Sequence, residues 1–203
     1  MKLLIATTNQ GKLKEIQRFL SDVNVELVSL KDLGILDVVE ETGKTFEENA
    51  ILKAKFYAEK SELPTLADDG GFEIDALNGE PGVKSHRWID STRESSDEEL
   101  IGYTVLRMKD IPEGKRGAQL RLVMAFVSSA KEVHIAEASI RGVVPVHPDG
   151  KHYEGFPFRS LLYLPEIEKY YSHEELTEIE NEKYNHRKNA LEQLKPSILA
   201  CLN

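Results

Sequence analysis

The 203-residue chain has one cysteine, Cys201, so neither an internal disulfide nor a cysteine-based metal cluster can form within it. Its six histidines fall at no zinc-ligand spacing. No run of about 18 apolar residues is present, so no segment reads as a membrane span. A basic excess is missing too. The 35 Asp and Glu outnumber the 26 Lys and Arg, and the formal charge of -9 argues against binding polymeric nucleic acid. A small anionic ligand stays open if the positive charge is local or brought by a metal ion.

What remains is an ordinary globular composition, 40% hydrophobic and 30% charged, long enough for one large domain or two small lobes. The opening MKLLIATTNQGKLKE carries an apolar run of about four residues, shorter than the roughly 7 to 15 of a secretory core, and no small-residue cleavage site follows. It reads as a first strand, and the expected location is the cytoplasm.

KLLIAT (2–7) has the pattern of a buried strand, and the polar turn TTNQGK (7–12) leads into a helix with Leu13, Ile16, Phe19 and Leu20 at helical spacing. VELVSL (25–30) reads as a second strand. The next helix is expected from about Thr45 to Lys60, capped by Thr45 with Glu48 three residues on. LPTLA (63–67) reads as a short strand ending at Asp68 and Asp69, and DALNGEPGVKSHRW (75–88) as a structured loop broken by Gly79, Pro81 and Gly82. DEELIGYTVLRMKD (97–110) is helical by period. Two hairpin-like strands follow in LRLVMAFVSS and EVHIAEASIRGVV, and a last helix runs from about Asn185 to Leu202. This order implies an α/β fold on a mixed central sheet.

GKT at 43–45 is not a P-loop, because Val38 stands where the motif needs its first glycine. The turn 7–12 is a better anion site: amides at a helix N-terminus attract phosphate, and Lys12 adds a charge. Thr8 or Asn9 serving only as a cap, with Lys12 solvated, explains the same residues. Asn49 and Lys53 share one helix face behind Glu40 and Glu41, a pattern that a solvated acidic turn with a surface lysine also produces. Asp68 and Asp69 lie where open α/β sheets bind ligands. Such a pair suits Mg²⁺ against phosphates with one carboxylate acting on a water, or else a turn closed on Gly70 and Gly71.

Four stretches, TTNQGK (7–12), EETGKTFEENAILKA (40–54), LADDGG (66–71) and LNGEPGVKSHR (77–87), together closely resemble the inosine/xanthosine triphosphate pyrophosphatases. NHR (185–187) is similar to that family's Ser-His-Arg. The resemblance implies an elongated two-lobed α/β fold with the nucleotide between the lobes, usually a homodimer. It implies Mg²⁺-dependent hydrolysis of a nucleoside triphosphate to monophosphate and pyrophosphate, with Mn²⁺ a possible substitute. It assigns the triphosphate to Thr7, Thr8, Asn9, Lys12 and Lys53, the metal to Glu41, Glu40 and Asp69, and catalysis to Asp69 with Asp68 beside it. His186 and Arg187 match the pair that closes on the nucleotide.

The base-recognition loop departs from that pattern. GFPFRS (155–160) stands where the family reads Gly-Phe-Gly-Tyr-Asp-Pro, so Phe156 and Phe158 keep aromatic rings while Arg159 replaces an acid. Asn181 replaces a lysine, Asn185 a serine and Gly70 another serine; His86 stands where a small residue is usual. Retained chemistry with an altered base preference is therefore expected. The alternatives are a catalytically silent nucleotide-binding protein and a phosphohydrolase acting on another modified nucleotide.

Overall fold

In the computed structural model, which describes residues 1–151, 153, 155–172 and 175–202, the apolar residues of the first strand, β1 (Lys2–Ile5), are almost wholly removed from water. The remaining strands are β2 (Glu26–Ser29), β3 (Thr65–Ile74), β4 (Gly117–Val127), β5 (Val133–Val143), β6 (Tyr163–Leu164) and β7 (Lys169–Tyr170). They form one sheet in the order β2-β1-β3-β4-β5-β6-β7. β1 runs parallel to β2, with Lys2 opposite Glu26, and to β3, with Leu4 opposite Thr65. The other edge is antiparallel through β5, β6 and β7. The expected mixed sheet is observed. Its flanking helices are α1 (Gln10–Phe19), α2 (Phe46–Ser61), α3 (Asp97–Met108), α4 (Glu178–Lys183) and α5 (His186–Leu202). Among the described residues no helix is long and apolar enough to cross a membrane.

Two compact units partition the chain. The first holds Met1–Asp69, Leu122–Ala138 and Arg187–Asn203, and the second Gly70–Arg121 and Ser139–His186. Each has its own apolar core: Ile5, Ile16, Leu66, Phe126 and Leu194 in the first, and Phe72, Ile74, Leu100, Met108 and Leu161 in the second. Within the second unit the buried Arg116 side chain donates to four backbone carbonyls, those of Val144 (2.7 Å), Met108 (2.7 Å), Ile111 (3.0 Å) and Pro145 (3.0 Å). It thereby ties the C-terminal end of α3 to the segment after β5. Burial lowers its pKa from the ordinary value.

Local chemistry set most of the boundaries. Thr45 caps α2 through its hydroxyl, which accepts from the Glu48 N–H at 3.1 Å, and Ser96 and Thr177 open α3 and α4 with reciprocal caps to Glu99 and Glu180. One expectation is corrected. LPTLA was expected to end at the aspartates, but β3 continues through Asp68, Asp69, Gly70 and Gly71 to Ile74. Phe72 and Ile74 supply the reason, since both are fully buried at alternate positions and extend the strand into the second core. β1 stops at Ile5, which pairs with Leu66. The aspartates therefore still lie beyond the carboxyl end of their parallel neighbour.

Candidate active site

Alternation along β3 sends the two adjacent aspartates to different partners. Asp68 faces α1 and α5. Its Oδ2 lies 3.0 Å from Lys12 Nζ and 3.2 Å from Arg187 Nη2, and the other end of the Arg187 guanidinium is bound by Glu15. Arg187 is only 4% exposed, so this ion cluster is largely dry. Burial pushes the Asp68 carboxyl up, but Lys12, Arg187 and Lys53 outweigh it and hold the group well below the usual carboxylate range. Its second oxygen, Oδ1, is buried with no hydrogen-bond partner among the described residues.

Asp69 faces α2. Lys53 Nζ approaches Oδ1 at 3.1 Å, and Asn49 donates its side-chain N–H to Oδ2 at 3.1 Å. The same Lys53 ammonium sits 3.0 Å from Glu41 Oε1. Burial and then the nearby Glu41 charge push Asp69 up, and Lys53 and Lys12 do not fully offset them, so its net shift is upward. For Lys53, burial opposes the charge, yet Asp69, Glu41 and Asp68 together keep its pKa above the ordinary value. The two neighbouring carboxylates are thus shifted in opposite directions, Asp68 downward by its cations and Asp69 upward by burial.

The turn before α1 is built as a cap. The Thr7 hydroxyl accepts from the Asn9 N–H at 3.2 Å, Asn9 accepts from the Lys12 N–H at 3.1 Å, and Thr8 is exposed. Asn9 rather than Thr8 is therefore the N-cap. Lys12 is not simply solvated, since its side chain is 22% exposed and paired with Asp68. Both candidate metal-binding glutamates are exposed, and of the two Glu41 reaches Lys53.

The other expected residues lie in the second unit. Phe156 is covered by the guanidinium of Arg159, whose carbon is 3.9 Å from the ring centroid and 5.5 Å from that of Tyr171. Tyr171 in turn hydrogen-bonds His186 Nδ1 through its hydroxyl at 3.0 Å. Phe158 is a core side chain, stacked on Phe72 with centroids 5.2 Å apart. Asn181 donates to the Leu176 carbonyl at 3.0 Å, and Asn185 is buried. Gly70 begins the second unit, directly after Asp69. His86 lies in a tight helical turn, Gly82–Arg87, whose Ser85 has φ of 35°.

One residue of the first unit's cluster, Glu15, escaped the sequence reading, and one contact of another did. Glu15 stands beside an apolar stripe, and its partner Arg187 is 172 positions away, so no local signal marks it. Asn49 was legible as a neighbour of Lys53 on one helix face, but its hold on Asp69 was not.

Glu41, Asp69 and the unpaired oxygen of Asp68 are hard oxygen donors, the set that Mg²⁺ uses when one or two carboxylates combine with water and phosphate. Among the described residues no three His, Cys, Asp or Glu side chains make a ready metal cage. The donors therefore fit a cation held jointly with an anionic ligand.

Residues 3–197 match the profile of the Ham1 family. The chain is 40% identical over 204 residues to the dITP/XTP pyrophosphatase of Thermoanaerobacter pseudethanolicus, covering 100% of this chain and 98% of that protein. It is 36% identical over 195 residues to the dITP/XTP pyrophosphatase of Escherichia coli strain K12, covering 95% of each. The solved Staphylococcus aureus Ham1 protein superposes with a TM-score of 0.82 at 30% identity, covering 98% of this chain and 99% of that one. With near-complete coverage in both sequence and structure, the chain belongs to the Ham1 family.

Proposed function

We propose that this protein hydrolyses non-standard purine nucleoside triphosphates of the ITP, dITP and XTP kind to the monophosphate and pyrophosphate. Relatives that align along nearly the whole chain carry the name dITP/XTP pyrophosphatase. The observation that carries the reading is the placement of Asp68 against Lys12 and Arg187, and of Asp69 against Lys53 and Asn49, just beyond the carboxyl end of β1. A buried carboxylate beside the Lys53 ammonium suits proton transfer from water at a phosphate, and a buried carboxylate between Lys12 and Arg187 suits holding those two cations in place.

In this reading Thr7, Thr8, Asn9 and the amides opening α1 receive the phosphates with Lys12, and Lys53 faces them from α2. Glu41 and Asp69, with Glu40 nearby in sequence, would hold Mg²⁺ or Mn²⁺, which supplies charge neutralisation on the phosphate oxygens when bound. Asp69 orients a water and accepts its proton as the water oxygen bonds to the α-phosphorus. The bond from that phosphorus to the bridging oxygen breaks, and pyrophosphate leaves against Lys12. Asp68 stays ionised throughout, keeping Lys12 and Arg187 in position.

Phe156, Arg159, Asn185, His186 and Gly70 belong to the base and nucleoside half of the reading, while Phe158, expected there, is a core side chain. Phe158 lies in the core and Phe156 is covered by Arg159, where the family resemblance implies an acid, so we read the base preference as shifted from that pattern. Polar groups aimed at a base edge discriminate strongly, because a wrong partner leaves them unpaired. The reading also has the enzyme working in the cytoplasm as a homodimer on a small nucleotide. A panel of purine and pyrimidine triphosphates, assayed separately for pyrophosphate and orthophosphate, tests it. Pyrophosphate from non-standard triphosphates supports the activity, and orthophosphate alone overturns it. ITP ranking first for both the protein and its Arg159→Ala variant would reject the shifted preference.

A further inference from the structure

Lys53 and Asn49, one turn apart on α2, each pair Asp69 with the segment that precedes the helix through their side chains. Lys53 joins Asp69 Oδ1 to Glu41. Asn49, 1% exposed, donates to Asp69 Oδ2 at 3.1 Å and accepts from the Gly43 N–H at 2.8 Å. The two bonds fix the amide's orientation, because only its oxygen can accept from Gly43 and only its nitrogen can donate to a carboxylate. Space around the contact is equally restrictive. A Cβ on Gly43 would lie 2.5 Å from Asn49 Oδ1 and 2.8 Å from the Glu48 Cβ, so the approach requires glycine. Further along the same face, Tyr57 donates its hydroxyl to the Asp37 carbonyl at 3.0 Å and Lys60 meets the Asp37 carboxylate at 2.8 Å. The segment 37–43 is thus held against one stripe of α2.

We propose that Asn49 is a positioning residue that, with Gly43, sets the separation of Glu41 and Asp69 and so prepares the pair for a divalent cation. The proposal rests on the reading of Glu41 and Asp69 as metal-holding groups. Asn49 suits the task because it is neutral. A second ammonium there would compete with the cation, and a carboxylate would add a third negative charge against Asp69. Lys53 balances the pair's charge, while Asn49 fixes geometry at Asp69 Oδ2 and at the backbone two residues after Glu41. Partners of this kind behind metal-holding side chains typically change metal affinity or activity by about 10- to 100-fold when removed.

The test uses Asn49→Ala, Gly43→Ala, the double variant and Asp69→Asn. Free Mn²⁺ is followed by electron paramagnetic resonance without nucleotide, and kcat and KM are measured with ITP and Mg²⁺. Asn49→Ala and Gly43→Ala should each weaken Mn²⁺ binding about 10- to 100-fold and lower kcat by a similar factor, with KM for the nucleotide changed less than about threefold. The double variant should be no worse than the poorer single one, since both break one contact. If Asn49→Ala unfolds, Gly43→Ala carries the test. Mn²⁺ affinity and kcat within about twofold of the parent, or losses that multiply in the double variant, would overturn the proposal. An active Asp69→Asn would remove the reading beneath it, whereas an inactive Asp69→Asn beside a normal Asn49→Ala would remove only this inference.

Discussion

Neutralising each of the two adjacent aspartates in turn should have opposite consequences. In Asp68→Asn, Arg187 keeps Glu15 but loses the Asp68 carboxylate, and Lys12 loses the carboxylate 3.0 Å away. Breaking a buried ion pair by removing one partner costs about 3–5 kcal/mol. Because Glu15 remains and Lys12 is 22% exposed, the lower end, about 3 kcal/mol, is the expectation. For a chain of this size that lowers Tm by about 6–12 °C. Asp69→Asn removes a carboxylate whose folded pKa is raised, so its charged form is already disfavoured in the fold. Lys53 keeps Glu41. The expected cost is smaller than that of Asp68→Asn, with Tm lowered by less than about 6 °C, while catalysis is lost. Thermal unfolding followed by circular dichroism at pH 7, with a pyrophosphate-release assay on the same samples, separates the two. If Asp69→Asn melted lower than Asp68→Asn, or if Asp68→Asn melted with the parent, the division of labour between an anchor and a proton acceptor would be wrong.

Two further outcomes test the second unit. Arg116→Met keeps the apolar stem but strands four backbone carbonyls, so it should destabilise by about 3–5 kcal/mol in urea titration; a change below about 1 kcal/mol would show that the guanidinium is not the staple described. The Lys169 ammonium and the cap at Thr177 hold the Glu180 carboxyl down at about 2 against an ordinary 4.5, so its stabilisation is present above the ordinary pKa and is lost as pH falls through the folded one. The Tm gap between the parent and Glu180→Gln should therefore be steady above about pH 5 and close towards pH 2, and a gap unchanged at low pH would contradict the assignment.

The parts of this molecule that were legible in the sequence are those written locally. α1 announced itself by apolar spacing and α2 by its cap at Thr45, while the choice between Thr8 and Asn9 as the first cap stayed open. What failed to show was decided by contacts distant in sequence. Gly70 and Gly71 look like a stop, yet β3 runs through them because Phe72 and Ile74 find a second core. Glu15 reads as a surface charge until Arg187 is brought against it. Phe158 looks like a ring for a base, and only its stacking on Phe72 shows it to be core. The different fates of Asp68 and Asp69 could not be read from two identical letters. They follow from pleating, which turns one towards Lys12 and Arg187 and the other towards Lys53 and Asn49.

The most direct measurement is the identity of the leaving product. The purified protein is incubated with Mg²⁺ and ITP, dITP or XTP, and pyrophosphate and orthophosphate are quantified in parallel with an Asp69→Asn control. Stoichiometric pyrophosphate and nucleoside monophosphate, abolished in the control, is the predicted result. Orthophosphate with nucleoside diphosphate, or pyrophosphate release that survives Asp69→Asn, would contradict attack at the α-phosphorus assisted by Asp69.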